Sequence, residues 1–287
     1  MAMSPSSAST SDADWRLLLD PPAPGAWNMA VDEVLLDGVA DGSAPPTLRF
    51  YGWAPPCLSL GYFQAFEVVD VAGCQSLGVD IVRRPTGGRA ILHDRELTYS
   101  VALPLRLLGN DGGVLPSYHR LSLALARGLE RLGVPVRLAP GTAAQHVTDH
   151  GPVCFDRPSA HEILLDGRKL VGSAQVRRAT AILQHGSILI EPRIGRLLAC
   201  LRLPDGPAGR IEDGVAGLAE VGDFDPARIA GALSNAFAEE FGASLVRSPL
   251  RLDERRAAQA LARSKYQSAA WTERPFEILA GNTTRTR

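Results

Sequence analysis

Apolar and polar positions along this chain repeat with two periods, and the changes from one to the other divide it into elements. WRLLLD, from Trp15 to Asp20, predicts a strand, and Pro21 to Gly25 predict a turn. AWNMAVDEVLLDGV then places Ala30, Val31, Val34 and Leu35 on one helical face, with Asp32, Glu33 and Asp37 expected outside. TLRFYGW and CLSLGYF predict strands on either side of Pro55-Pro56. VDIVRRP, RAILHD and TYSVALPL predict three more, rich in β-branched or apolar residues and broken by Gly-Gly and by charged loops. From Ser117, the expected N-cap, Leu121, Leu125, Leu129 and Leu132 mark a helix that Gly133 closes. VPVRLA predicts the next strand.

The middle of the chain reads as a meander. HEILLD and RKLVGSAQVRR flank Asp166-Gly167, a pair suited to a type I′ hairpin turn, and AILQHGSILIE follows as another strand. Asp225-Pro226 opens a helix with Ile229, Leu233, Ala236 and Phe237 inward, and a third helix is expected from Leu252 to Tyr266. Leu203 to Gly217 is expected to be the largest internal loop, and a mobile one. Strands dominate the middle and helices surround them, so the pattern predicts an α+β fold with a mixed or antiparallel central sheet and flanking helices, not a βαβ alternation. No long linker divides the chain. Residues 1–13 are expected to form a disordered tail, and residues 14–287 a single domain with a helical C-terminal segment.

Composition narrows the function classes. Hydrophobic residues make up 45% and charged residues 21%, a globular balance. A net charge of -1 points neither to nucleic acid nor to an anionic membrane. The N-terminus has no apolar stretch of a secretory signal, and no run in the chain approaches bilayer length, so a reduced, cytoplasmic protein is expected. The four cysteines include no CxxC pair and no Cys/His cluster of zinc spacing, so no metal is expected. Of 30 basic residues only Lys169 and Lys265 are lysines, which makes each conspicuous, because lysine can give up its proton where arginine cannot.

Three segments carry candidate chemistry. In RRPTGGRAILHDRELTYS, Gly87-Gly88 permits positive φ or a close backbone approach to a ligand, with Arg83, Arg84 and Arg89 around it and Thr86 able to donate a hydrogen bond. A Gly-Gly pair by itself is ordinary turn punctuation, and no phosphate loop is present. In GRKLVGSAQVRRATAILQHGSILI, strand alternation places Lys169 with Val171 and Ser173 on one face and Leu170, Gly172 and Ala174 on the other. On position alone Lys169 reads as a solvated lysine beside a turn, and His185 as a core or edge histidine. In GPVCFDRPSAHE, Cys154 sits among Asp156, Arg157, Ser159 and His161, whereas Cys57, Cys74 and Cys200 have apolar or small neighbours. A free cysteine is most often a small buried hydrophobe, but a thiol beside cations ionises below its usual pKa of about 8.5.

Together these segments resemble the biotin/lipoate protein ligase superfamily, and within it the lipoate-ligase-like octanoyltransferases. The resemblance runs from GAWNMAVDEVLL and LRFYGWAPPCLSLGYFQ through the three segments above to SKYQSAAWT. It implies an α+β domain with a tunnel for an eight-carbon acyl chain, wrapped by the Arg83 to Asp94 segment that includes His93. It also implies that Lys169, in the motif GRK-x-x-GSA that contains Gly172, Ser173 and Ala174, contacts the acyl carbonyl, and that His185-Gly186 lines the same pocket. Two departures separate the chain from ATP-dependent lipoate ligases: Arg89 replaces a third glycine, and Cys154 precedes Phe155-Asp156 where ligases carry Asn-Asp. The octanoyltransferase branch shares the cysteine.

The expected reaction takes an octanoyl group from octanoyl-acyl carrier protein onto Cys154, with Lys169 as the second catalytic residue, and passes it to a lysine of a lipoyl-domain protein such as glycine cleavage H protein. It calls for no cofactor or metal. Arg177-Arg178 and Arg255-Arg256 are candidate contacts for an acidic carrier. Alternatives are an ATP-dependent lipoate–protein ligase, an octanoyl or lipoyl amidotransferase acting between lipoyl domains, and a catalytically silent acyl-binding relative. Biotin ligase lacks support, because its GRGRxGR-type loop is absent.

Overall fold

The computed structural model describes residues 13–109, 113–140, 161–202 and 208–274. Apart from Ala13, the expected N-terminal tail lies outside them, and so does Cys154. The chain opens with β1 (Asp14–Leu19), α1 (Gly25–Ala40), β2 (Thr47–Tyr51), β3 (Cys57–Leu60), α2 (Val71–Ser76), β4 (Asp80–Arg83), β5 (Ile91–His93) and β6 (Glu96–Pro104). It continues with α3 (Val114–Arg131), β7 (Val136–Leu138), β8 (Ile163–Leu165), β9 (Arg168–Arg177) and β10 (Ala181–Leu189). The last part holds α4 (Ile194–Ala199), α5 (Ala208–Asp213), α6 (Pro226–Phe241), β11 (Ser244–Arg247), α7 (Leu252–Leu261) and α8 (Ala269–Thr272).

Eight strands form one mixed sheet in the order β11-β1-β2-β6-β10-β9-β8-β7, and β4-β3-β5 form a small second sheet. This is the expected α+β class. One face of the large sheet packs on α3 and α6 through Leu48, Phe50, Tyr99, Leu125, Leu233 and Phe237. The other face carries α1 and the small sheet. No described helix is long and apolar enough to cross a membrane.

Local signals account for most of the elements. Asp225 caps α6 by accepting from the Arg228 amide at 2.9 Å, and Pro226 occupies the first turn, where its missing N–H costs nothing. Asp166 and Gly167 take φ of 49° and 78°, the left-handed pair that a two-residue hairpin between β8 and β9 requires. Gly133 follows α3 with φ of 85°, as a helix stop.

Three expectations need correction. Ser117 is not the N-cap of α3: the helix starts at Val114, and the Ser117 hydroxyl turns back to the Val114 carbonyl at 2.8 Å. The segment from 203 to 217 is not simply a loop, since it contains α5 and pairs with β9 through the Lys169 amide to Gly214 O at 2.9 Å and the Ala216 amide to Lys169 O at 3.0 Å. Asp32 and Glu33 are not outside α1. Both are buried, because α1 lies between the large sheet and the C-terminal helices and each carboxylate meets a cation there: Arg49 for Asp32, Lys265 for Glu33.

Candidate active site

A narrow cavity lies between the two sheets. Ser59, Arg84, Ile91 and His93 form its wall on the side of the small sheet. Tyr51, Thr98, Gly172, Ala174, His185 and Ser187 face them from the large sheet. The register explains this set: Tyr51, Thr98, Ser187 and Gly172 lie abreast on β2, β6, β10 and β9, and Arg49, Ser100, His185 and Ala174 form the next row on the same face. Gly186 also reaches the cavity. It must be glycine, since a Cβ there would stand 2.6 Å from Gly172 O and 2.7 Å from the Tyr99 ring.

The loop after β4 is folded around Arg84. Its guanidinium donates to Gly87 O at 2.8 Å, Arg89 O at 2.7 Å and Ser59 O at 2.9 Å. Gly88, at φ 87°, brings its carbonyl so close to Gly61 that a Cβ on Gly61 would lie 1.8 Å from it. Thr86 reaches across to the large sheet, its Oγ1 2.7 Å from His185 Nε2. The structure thus gathers Arg84, Thr86, Gly87, Gly88 and the Arg89 carbonyl into one loop beside the cavity. Arg83 points elsewhere: it donates to Thr272 O, Gly61 O and Gln64 O, tying β4 to α8 and to the 61–64 turn. Burial, then the nearby Arg274 charge, lower its pKa to about 10, so it stays charged at neutral pH.

Behind His185 lies a closed ionic cluster. Asp32 Oδ1 accepts from Arg49 at 2.7 Å and Ser100 at 2.8 Å, while Oδ2 accepts from Tyr51 at 2.8 Å and faces His185 Nδ1 at 3.0 Å. Burial alone would raise the Asp32 pKa, but the Arg49 charge and the His185 contact hold it below the usual carboxylate range. The charged Asp32 sets the tautomer: Nδ1 carries the proton toward it, which leaves Nε2 to accept from Thr86.

His93 lies on the cavity wall, stacked on Trp53 with centroids 3.9 Å apart, its Nε2 2.8 Å from Ser59 Oγ. Burial first, and the nearby Arg84 charge after it, depress its pKa against the opposing pull of Glu96, so its neutral form is favoured. Two polar atoms on opposite sides of the cavity, His93 Nδ1 and Ser187 Oγ, are buried without a hydrogen bond among the described residues, His93 Nδ1 having only a 3.4 Å contact with Glu96. A group left so costs about 1–3 kcal/mol.

Lys169 is 1% exposed, not a solvated lysine, and its Nζ donates to Glu162 Oε1 at 2.5 Å. Simple alternation misplaces it. Ile163 pairs with Val171, but Leu164 pairs with Lys169, so Leu170 is an extra residue in β9 at a bulge. Counted through β8, Lys169 therefore falls on the face of Gly172 and Ala174, the cavity side. Ser173 falls on the opposite face, where its Oγ meets the Tyr99 hydroxyl at 2.7 Å. The structure thus separates Ser173 from Lys169, which the sequence pattern had joined.

Asp32, Arg49, Glu162 and Ser187 went unnoticed in the sequence. A signal existed for the first two. Met29, Asp32, Glu33 and Leu36 follow the i, i+3, i+4, i+7 rule, and Arg49 sits between Leu48 and Phe50 at the centre of a strand, so opposite charges stood on two apolar faces.

A two-sheet cavity with a buried lysine at a bulge and a glycine loop beside it suits an enzyme that holds an acyl group. The family model "Lipoyl protein ligase A/B catalytic domain" matches residues 24–238, and the chain belongs to that family. It is an acyltransferase. The chain is 40% identical over 270 residues to Octanoyltransferase LipM of Carboxydothermus hydrogenoformans, covering 90% of this chain and 97% of that one. It is 42% identical to Octanoyltransferase LipM of Kyrpidia tusciae, covering 91% and 98%. Among solved structures it is similar to a lipoate-protein ligase A bound with ATP, with a TM-score of 0.76, 26% identity and coverage of 91% and 98%.

Proposed function

We propose that the chain transfers an octanoyl group from octanoyl-acyl carrier protein to a lysine of a lipoyl-domain protein, such as glycine cleavage H protein, through a thioester on Cys154. The observation that carries this reading is the buried Lys169, turned to the cavity side by the β9 bulge, in a chain about 40% identical to two octanoyltransferases. The Cys154 thiolate attacks the carbonyl carbon of the donor thioester, and the carrier's thiolate leaves and takes up a proton. The acceptor lysine, as free amine, then attacks the acyl-enzyme. The amide forms, the nitrogen loses its proton, and the Cys154 thiolate is restored. Lys169 stabilises the charge that develops on the carbonyl oxygen in both steps. Each buried CH₂ of the tail contributes about 0.8 kcal/mol, so the octanoyl chain supplies roughly 5 kcal/mol of anchoring.

A second reading, ATP-dependent ligation of lipoate, draws on the likeness to lipoate-protein ligase A. Arg89 and the Cys154-Phe155 pair favour transfer over ligation. A donor comparison decides between them. With a lipoyl domain as acceptor, octanoyl-carrier protein should support amide formation without ATP, and free lipoate plus ATP should not. The opposite result would establish the ligase.

A further inference from the structure

We infer that the Ser187 hydroxyl donates a hydrogen bond to the carbonyl oxygen of the bound acyl group, as a second donor beside Lys169. The inference deepens the acyl-transfer reading and rests on it. Ser187 is completely buried, lines the cavity and has no hydrogen-bond partner for its Oγ among the described residues. The neighbour best placed to take its proton is already engaged. Thr98, abreast of it on β6, donates to Glu96 Oε1 at 2.6 Å and accepts from Trp53 Nε1 at 2.7 Å. On its other side stands Gly172, which has no side chain to cover it. The sheet therefore presents a donor to the cavity and keeps its nearest competitor occupied.

What that donor meets follows from the cargo. A saturated acyl tail has no acceptor along its length, so a purely apolar wall would serve it better. The strong acceptor of an octanoyl group is its carbonyl oxygen. Ser187 lies opposite Gly172, three residues along β9 from Lys169, at most about 10 Å at the rise of a regular strand and less across the bulge at Leu170. Both residues belong to the cavity face, and the lysine side chain with one carbonyl between it and the hydroxyl spans that distance. Two donors on one oxygen make an oxyanion hole in which the lysine supplies charge and the serine direction.

The test compares wild type, Ser187→Ala and Ser187→Thr by rapid-quench intact-mass analysis with octanoyl-carrier protein. Infrared spectra of the ¹³C-carbonyl-labelled acyl-enzyme are recorded alongside. Ser187→Ala should slow acylation about 10- to 100-fold, move the carbonyl stretch to higher wavenumber and leave Tm unchanged or raised, since it deletes a buried hydroxyl without a partner. Ser187→Thr, which keeps the hydroxyl, should recover part of the rate. An Ala variant that acylates at the wild-type rate overturns the inference, as does a slower variant with an unshifted stretch. A variant that instead changes only the choice between octanoyl and lipoyl donors would place the hydroxyl against the tail and overturn it too. Failure of the wild type to form any adduct would overturn the acyl-enzyme reading itself, and is seen before any variant is compared.

Discussion

Two polar clusters border the cavity between the sheets, and they are built to opposite rules. Around Asp32 the requirements of the charge are met: both carboxylate oxygens take two contacts, from Arg49, Ser100, Tyr51 and His185. One row away stands Ser187 and, across the cavity, His93: Ser187 Oγ and His93 Nδ1 are buried without a hydrogen bond among the described residues, the imidazole nitrogen having only a 3.4 Å contact with Glu96. The first arrangement is what a buried charge needs in order to stay ionised. The second costs stability, and a fold keeps it only where something else uses the groups. The satisfied cluster fixes His185 and, through Thr86, the glycine loop. The unsatisfied one is where chemistry is expected.

The comparison is broken most directly at its charged members. Lys169→Ala should lower kcat by about 10²–10³-fold if Lys169 stabilises the oxyanion. It also leaves Glu162 buried without its cation. The double variant Lys169→Met, Glu162→Gln removes both charges and keeps the volume: if the pair were only structural it would restore both fold and rate, whereas here it should restore stability and not kcat, read by thermal melts beside single-turnover rates. Asp32→Ala should cost about 3–5 kcal/mol, because Arg49 would remain buried with its main partner removed. Chemical denaturation measures this, and a loss below 1 kcal/mol would mean that the cluster does not hold the face together.

Acid sharpens the contrast. The native pKa of His93 is depressed, so between that value and the unfolded value of about 6.5 the unfolded chain binds more protons. His93 therefore contributes stability above pH 6.5 that is lost as pH falls through its native pKa. Asp32, also depressed, is lost at much lower pH, below the unfolded carboxylate value of about 3.9. His93→Gln should flatten the slope of unfolding free energy between pH 7 and 5, and an unchanged slope would refute the assignment. The smallest effect belongs to the surface. The exposed Arg131–Glu239 pair, removed by Glu239→Gln, should leave both the denaturation midpoint and the rate of acyl transfer unchanged, because solvent screens it.

What the sequence revealed follows the range of its signals. The β8–β9 hairpin and α6 were legible because Asp166-Gly167 and Asp225-Pro226 act within a few residues. The glycine loop and Lys169 were legible as members of a family motif. Ser173 was misplaced because strand alternation assumes no extra residue, and one at Leu170 reverses the faces. Asp32 was read as solvent-facing because its reason for being buried is Arg49, on another element. Arg177 and Arg178 looked like free surface cations. In the fold Arg177 donates to Gly113 O and Ser117, and Arg178 pairs with Glu33 and Asp37. Arg255 and Arg256 are exposed.

The central claim is that Cys154 carries the acyl group. Intact-mass analysis after mixing the protein with octanoyl-carrier protein, in the absence of acceptor, tests it. Wild type should gain the mass of one octanoyl group, the label should be discharged by hydroxylamine and passed to an added lipoyl domain, and Cys154→Ala should gain nothing. An octanoyl adduct of equal yield on Cys154→Ala would contradict the account.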